Sequence, residues 1–371
     1  MVFRHSRNQA PNRTGIERYQ QRQSTINSWK TSEGRSDIID FVNQSKSVDE
    51  SRAESSLFLA PLHDRASMNA LVTGGAGFLG SQLAERLLAA DHDVTVVDDL
   101  SNGRREWLPS DCPFIEGDLT EQATVDSVVD ETYDTVFHLA ARKAVNDENP
   151  RGQFHENTEM TYALVDAALD ADIPEVVFTS TSTVYGEAPR PTPEDYAPLE
   201  PISTYGASKL ACEAILSQAA HSHDLTVYNY RFANIVGPRL RGAVIPDFIE
   251  KLRADSTTLT ILGNGRQEKS YMHIEDCLDA MLYVREHASG PMATYNLGTR
   301  TTTSVTRIAD IVAEELDVDP AYTYTGGERG WSGDVPKMRL SIEKLAALGY
   351  EPTQSSEESI RQATRELAAE L

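Results

Sequence analysis

Cysteine, lysine and long apolar runs are all scarce in this 371-residue chain. The three cysteines, Cys112, Cys212 and Cys277, lie far apart and form no CxxC pair. That excludes a disulfide framework and a structural zinc site, so no metal is expected. No apolar stretch approaches the roughly 20 residues that cross a bilayer, and MVFRHSRNQAPNRTG, residues 1 to 15, contains no apolar signal core. The expectation is a cytoplasmic protein with no membrane attachment. Residues 1 to 67 hold 10 of the 34 Lys and Arg and 8 of the 57 Asp and Glu, leaving 24 and 49 in the remainder, a net charge of −25. Only 6 of those 24 are Lys. A surface this negative repels phosphate backbones and excludes general nucleic-acid binding. An acidic, lysine-poor surface suits a cytoplasm of high salt, where screening relieves self-repulsion.

What is present divides in two. Residues 1–67 are rich in Ser, Arg, Gln and Asn and have no sustained periodicity, so a disordered extension is expected. Met68 stands at the natural beginning of a first strand and is a candidate translation start. From there apolar strands alternate with amphipathic helices: NALVT and 78 to 90, DVTVVD, PFIEG and 120 to 130, DTVFHLA and 155 to 171, EVVFTST and 206 to 222, then LTVYNYRF. This alternation predicts an α/β fold, a Rossmann-type doubly wound parallel sheet over residues 68–237. After Pro238 shorter elements follow, among them IPDFIEKLRA, LTIL, SYMHI, EDCLDAMLYVREH, TYNLG, TRIADIVAEEL and a last helix near 356 to 370. Residues 238–371 are expected to form mainly a smaller substrate-binding lid over the carboxyl ends of the strands.

The stretch LVTGGAGFLG places Gly74, Gly77 and Gly80 three apart between a strand and a helix. Such a turn is tight, admits a pyrophosphate against bare backbone, and lets the helix pack close to the strand. The helix N-terminus then offers free N–H groups and a partial positive charge to the phosphates. About twenty residues on, Asp98 closes the second strand, where a carboxylate accepts from ribose hydroxyls and repels a 2′-phosphate. This favours NAD; a solvent-facing strand cap is the competing reading of Asp98. In STYGASKLACEAIL, Tyr205 and Lys209 share one helical face a turn apart. A nearby ammonium and the positive nicotinamide favour phenolate, making Tyr205 a proton carrier for a sugar hydroxyl.

In order, the glycine turn, the acidic strand end, FTSTSTVYG, YxxxK and RFANIVGP resemble the extended short-chain dehydrogenase/reductase family, in its nucleotide-sugar epimerase/dehydratase branch. VVDDLSNG, EGDL, FHLAARKAV and STVYGE are similar to the UDP-glucose 4-epimerase group of that branch. The resemblance implies Tyr205 as acid/base, Lys209 lowering its pKa and holding the nicotinamide ribose, and Thr181 bonding the reacting hydroxyl. It implies a cofactor lining of Gly74, Gly77, Phe78, Leu79, Gly80, Asp98, Asp99, Leu100, Ser101, Asn102 and Gly103. Asp118 and Leu119 would flank adenine; Leu139, Ala140, Ala141 and Lys143 would pass under phosphates and ribose; Asn157 would support the site. For the substrate it implies Thr181, Asn234, Lys269, Tyr271 and Arg329, with Lys269 standing where relatives have Arg. Met160 stands where relatives usually have Gly.

The implied activity is an NAD-dependent 4-epimerization of a nucleotide sugar, UDP-glucose or UDP-galactose in type, through a transient 4-keto sugar. The 4,6-dehydratases of the branch carry Asp-Glu after the residue matching Thr181, and its decarboxylases carry Glu at the second position. Here those positions are Ser182 and Thr183, which carry no carboxyl group. Dehydration and decarboxylation are therefore disfavoured alternatives; a nucleotide-4-keto-sugar reductase and a non-catalytic NAD sensor are the others. The resemblance also implies a homodimer paired through the helices at 155 to 171 and 206 to 222.

Overall fold

The computed structural model describes residues 67–143, 149–331 and 333–371. The extension expected over 1–67 lies outside these residues except for Ser67. The first strand, β1 (Asn69–Thr73), has no wet face: Ala70 and Val72 enter one apolar cluster and Leu71 the opposite one. Each fully buried side chain of the size of Leu71 contributes about 1.5–3 kcal/mol, so helices must cover both sides. On one side lie α1 (Phe78–Ala89), through Leu83 and Leu87, and α6 (Ile274–His287), through Leu278 and Met281. On the other lie α3 (Pro150–Asp170), through Leu164 and Ala168, and α4 (Thr204–Ser222), through Leu216. Between these come β2 (Asp93–Asp98), β3 (Phe114–Glu116), α2 (Gln122–Val128), β4 (Thr135–His138), β5 (Glu175–Thr181) and β6 (Thr226–Phe232).

The strands pair in parallel in the order β11 (Met292–Leu297)-β6-β5-β4-β1-β2-β3, with β1 in register with both neighbours, Ala70 opposite Val94 and opposite Thr135. The order reverses direction between β1 and β4, so the crevice for a ligand opens beyond Thr73 and His138. The seventh strand, β11 (Met292–Leu297), lies well past residue 237 yet runs along β6 from Met292 opposite Val227 to Leu297 opposite Phe232. The later chain thus returns to the main sheet before building its own core.

That core joins α5 (Val244–Ala254), α7 (Val305–Leu316) and α9 (Ser356–Glu370) through Ile245, Phe248, Ile308, Ile311, Ile360 and Leu367. Short strands hold the connecting loops: β7 (Asn234–Val236) beside β10 (Tyr271–His273), and β9 (Glu268–Lys269) between β12 (Thr303–Ser304) and β14 (Lys337–Met338). Several helix boundaries differ from expectation, among them the start of α2 at Gln122 and of α4 at Thr204, and two have a visible cause. The third helix starts at Pro150, five residues early, because Asn149 caps it through Gly152 N at 2.9 Å and Pro150 fits the first turn. The second stops at Val128, where Asp130 instead accepts from Thr132 N at 2.9 Å. Among the described residues no helix is long and apolar enough to cross a membrane.

Candidate active site

The turn between β1 and α1 is built to be bare. Gly74 has φ +64°, and a Cβ there would sit 2.6 Å from Ala140 N, so both conformation and the close approach of β4's exit demand glycine. A Cβ on Gly80 would press on Gly75 Cα at 2.5 Å, which fixes how near α1 packs to the turn. Gly77 differs: a Cβ would meet only Gly74 O, at 3.2 Å. Its outer face is open, no side chain caps α1, and no acidic residue lies in the first turn. That is an anion cradle at a helix N-terminus. Phe78 and Leu79 pack partly into the apolar clusters behind it.

Asp98 supplies the second part. Its Oδ2 accepts from Ala76 N at 3.0 Å and its Oδ1 from Leu100 N at 2.8 Å, so the strand end is tied to the glycine turn. Each oxygen keeps a lone pair for a hydroxyl, and the carboxylate is 8% exposed. Burial pushes its pKa up, against those two backbone bonds. Asp99 accepts from Ser101 N at 2.9 Å, and a Cβ on Gly103 would meet Asp98 Oδ1 at 2.6 Å, so the loop through Leu100, Ser101 and Asn102 wraps this carboxylate. Asp118 is spent locally, accepting from Thr120 N and Oγ1, both at 2.8 Å, and Leu119 is core. Leu139 and Ala140 lie against Thr73, Leu139 N donating to Thr73 O at 3.2 Å and Ala140 N to Thr73 Oγ1 at 3.3 Å. Ala141 is half-buried and Lys143 exposed beyond them. Asn157 holds this segment, accepting from Arg142 N at 2.8 Å and donating to Arg142 O at 3.1 Å. A bare cradle, a strand-end carboxylate and a polar floor fit an adenine dinucleotide without a 2′-phosphate.

Ser203 caps α4 through Gly206 N at 3.1 Å, which places Tyr205 in the first turn. A Cβ on Gly206 would stand 2.9 Å from Thr183 O and 3.1 Å from Thr183 Oγ1, so that turn rests on the 3₁₀ segment Ser182–Tyr185. Thr181 Oγ1 lies 3.2 Å from Thr183 Oγ1 and accepts from Thr183 N at 3.2 Å. Lys209 is 2% exposed, with Nζ 4.5 Å from the Phe178 ring centre. Burial lowers its pKa to about 8, opposed by Cys212 and Glu213. Burial, with a smaller contribution from Cys212, raises the Tyr205 phenol above its ordinary value. In the chain alone, therefore, desolvation outweighs the ammonium that was expected to favour phenolate.

In the later chain Lys269, Tyr271 and Arg329 gather about Asp334, and Asn234 lies opposite Tyr271 in the strand pair. Lys269 Nζ donates to Asp334 Oδ1 at 2.6 Å and sits 5.0 Å from the Trp331 ring centre. Arg329 donates to the Asp334 carbonyl and pairs with Glu187, on the loop that follows the Thr181 turn. Burial and Asp334 raise the Tyr271 phenol, and Asn234 Nδ2 donates to Ser270 O at 3.1 Å.

Three features went unread in the sequence. Asp334 is 2% exposed and also accepts from Gly330 N at 3.0 Å, so it fastens the loop bearing Arg329; the Gly-Asp pair after that arginine was its only signal. His138, in FHLAA, is buried and bonded on both ring nitrogens, to Thr73 Oγ1 at 2.9 Å and Thr161 Oγ1 at 3.0 Å. Glu213 and Arg231 form a buried pair that no local spacing announces. Met160 turns inward among the core residues between α3 and the sheet, so the larger side chain alters helix packing. Among the described residues no group of three or more His, Cys, Asp or Glu is arranged to hold a metal.

Residues 70–298 match the NAD dependent epimerase/dehydratase family. The chain is 32% identical over 338 residues to a UDP-glucose 4-epimerase of Azospirillum brasilense, covering 80% of this chain and 95% of that one. A crystal structure of a UDP-galactose 4-epimerase superposes with TM-score 0.75 at 38% identity, covering 82% of this chain and all (100%) of the other. A Thermus thermophilus UDP-glucose 4-epimerase in complex with NAD superposes with TM-score 0.74 at 31% identity, again over 82% and 100%. The chain belongs to the NAD dependent epimerase/dehydratase family.

Proposed function

We propose that this protein is an NAD-dependent UDP-hexose 4-epimerase of the UDP-glucose/UDP-galactose type. The observation that carries the reading is the seat of Tyr205: its helical turn rests on Thr183, whose hydroxyl lies 3.2 Å from that of Thr181, with Lys209 buried one turn behind. Bound NAD⁺ supplies a reversible two-electron oxidation at the sugar's C4. Tyr205 accepts the proton of the 4-hydroxyl and returns it, and Thr181 holds that oxygen during the transfer. The Lys209 ammonium and the charge of the oxidised ring together oppose the burial that otherwise keeps Tyr205 protonated. The 4-keto sugar turns over in the site before reduction on its other face, so the net reaction is redox-neutral. Ser182 and Thr183 offer no carboxyl group to drive dehydration or decarboxylation.

In this reading residues 68–237 hold the coenzyme and 238–371 mainly the substrate. The residues named above for each keep those roles, Lys269 and Arg329 facing the diphosphate. A homodimer through α3 and α4 fits the apolar side chains left outside: Phe154 and Tyr162, 40% and 60% exposed, and Ile202 at the mouth of α4. Phe154 and Ile202 border a shallow cleft of about 580 Å³ lined also by Pro150, Pro201 and Ala207. A cytoplasmic location at high salt accords with the acidic surface.

Purified protein given UDP-galactose and NAD⁺ in molar salt is expected to form UDP-glucose without accumulating NADH. Tyr205→Phe should lower kcat by roughly a hundredfold or more with coenzyme still bound. Normal turnover by that variant would sink the mechanism.

A further inference from the structure

Tyr205, Lys209 and Glu213 follow one another at four-residue intervals on α4 and so share a face over two turns. The mechanism above uses the first two. The third is where that face is fastened. Arg231 of β6 donates from Nε to Glu213 Oε1 at 3.0 Å and from Nη2 to Oε2 at 2.6 Å. Ser180 of β5, directly before Thr181, donates to Oε1 at 2.5 Å. Arg231 also donates through Nη1 to Tyr185 Oη at 2.9 Å and to the Glu194 carbonyl at 3.1 Å, and Tyr185 donates to Asn296 Oδ1 of β11 at 2.8 Å. One carboxylate thereby joins the helix of Tyr205 to the strand of Thr181, the turn after it and two further strands. Glu213 and Arg231 are 4% and 6% exposed, so neither charge is tolerable without the other.

The same carboxylate decides the charge around Lys209. On its own helix Lys209 faces Tyr205, Cys212 and Glu213; from β4 it faces His138, and from β5 the Phe178 ring. Burial raises the Cys212 thiol and lowers the His138 imidazole, so both stay neutral at pH 7. Thr161 of α3 bonds Cys212 at 3.2 Å and brings no charge. Among the described residues, Glu213, paired with Arg231, is the carboxylic side chain in this set.

We propose that Glu213, held by Arg231 and Ser180, is a positioning residue that seats the Tyr205–Lys209 face against β5 and keeps the desolvated Lys209 ammonium charged. The proposal rests on the roles given to Tyr205 and Lys209 above. In Glu213→Gln, kcat should fall about tenfold with KM within about twofold, and the alkaline limb of the kcat–pH profile should move roughly one unit lower. Glu213→Asp keeps the charge and shortens its reach, so kcat should fall while the limb stays in place. A Glu213→Gln protein with the kcat and limb of the parent overturns the proposal. If that variant does not fold, Ser180→Ala is measured instead: a several-fold lower kcat at constant KM is expected, and an unchanged kcat overturns it. Tyr205→Phe run alongside separates the two levels. Activity in that variant defeats the mechanism, whereas an inactive Tyr205→Phe beside an unaffected Glu213→Gln defeats this inference alone.

Discussion

His138 is kept neutral by where it sits. Thr161 Oγ1 gives its proton to the Asn157 carbonyl at 2.9 Å, so it accepts from His138 Nε2, and Nδ1 then accepts from Thr73 Oγ1. Burial, aided by the Lys209 charge, pushes the imidazole pKa from 6.5 down to about 3. Because the folded value lies below the unfolded one, the unfolded chain binds the extra proton between those pH values. Stability from this group is therefore complete above about pH 6.5 and drains away as pH falls toward 3. Between pH 7 and pH 5 the loss is about 2 kcal/mol. His138→Gln should unfold with a pH slope flatter by that amount in urea titrations, and identical slopes would refute the account. The imidazole was legible only as a letter within FHLAA; its importance depends on Thr161 arriving from a helix that closes over β4. The glycines, Asp98, Tyr205 and Lys209 could be read because residue type and spacing along the chain mark them. Glu213 with Arg231 and Lys269 with Asp334 could not, because each pair is made by tertiary packing across 18 or 65 positions.

At the scale of elements, the proposed mechanism turns on how α4 begins. Its first turn lies on the Ser182–Tyr185 segment because Gly206 has no Cβ. Gly206→Ala places a methyl 2.9 Å from the Thr183 carbonyl oxygen, tighter than packed carbon and oxygen tolerate. The helix start must lift, carrying Tyr205 away from Thr181. A displacement approaching 1 Å is expected to reduce kcat by roughly ten- to a hundredfold. Coenzyme retention should fall much less than kcat, since the glycine cradle and Asp98, on other elements, keep their hold while the Lys209 contact to the nicotinamide ribose loosens. Fluorescence titration with NADH beside kcat measurement checks both halves; parallel losses would show that the whole crevice had been disturbed. The strands and helices before residue 237 could be read because alternation of buried runs with amphipathic helices is a local pattern. The strand MATYNL carries the same pattern, but its place beside β6 is topological, and no periodicity announces which sheet a strand joins.

For the whole molecule the governing quantity is the surplus of acid. Most arginines of the described surface already have partners: Arg239 with Glu85, Arg285 with Glu175, Arg300 with Glu343 and Glu351, and Arg307, Arg361 and Arg365 woven among Glu314, Glu315 and Glu357. Even with every one of the 24 basic residues beyond position 67 set against one acid, about half of the 49 acids would stand unopposed. Salt acts on both populations. It weakens exposed pairs, each contributing about 0.2–1 kcal/mol at most, and it screens repulsion among the surplus carboxylates. Repulsion grows with the square of the unopposed charge while pairing grows with the number of pairs, so screening the repulsion should win. The melting temperature is accordingly expected to rise by several degrees or more from 0.1 M to about 2 M potassium chloride, where the Debye length falls from about 10 Å to below 3 Å. Sodium sulfate strengthens apolar burial as well as screening charge. A chloride salt therefore isolates the electrostatic part, and a melting temperature flat across it would refute the argument from surplus charge.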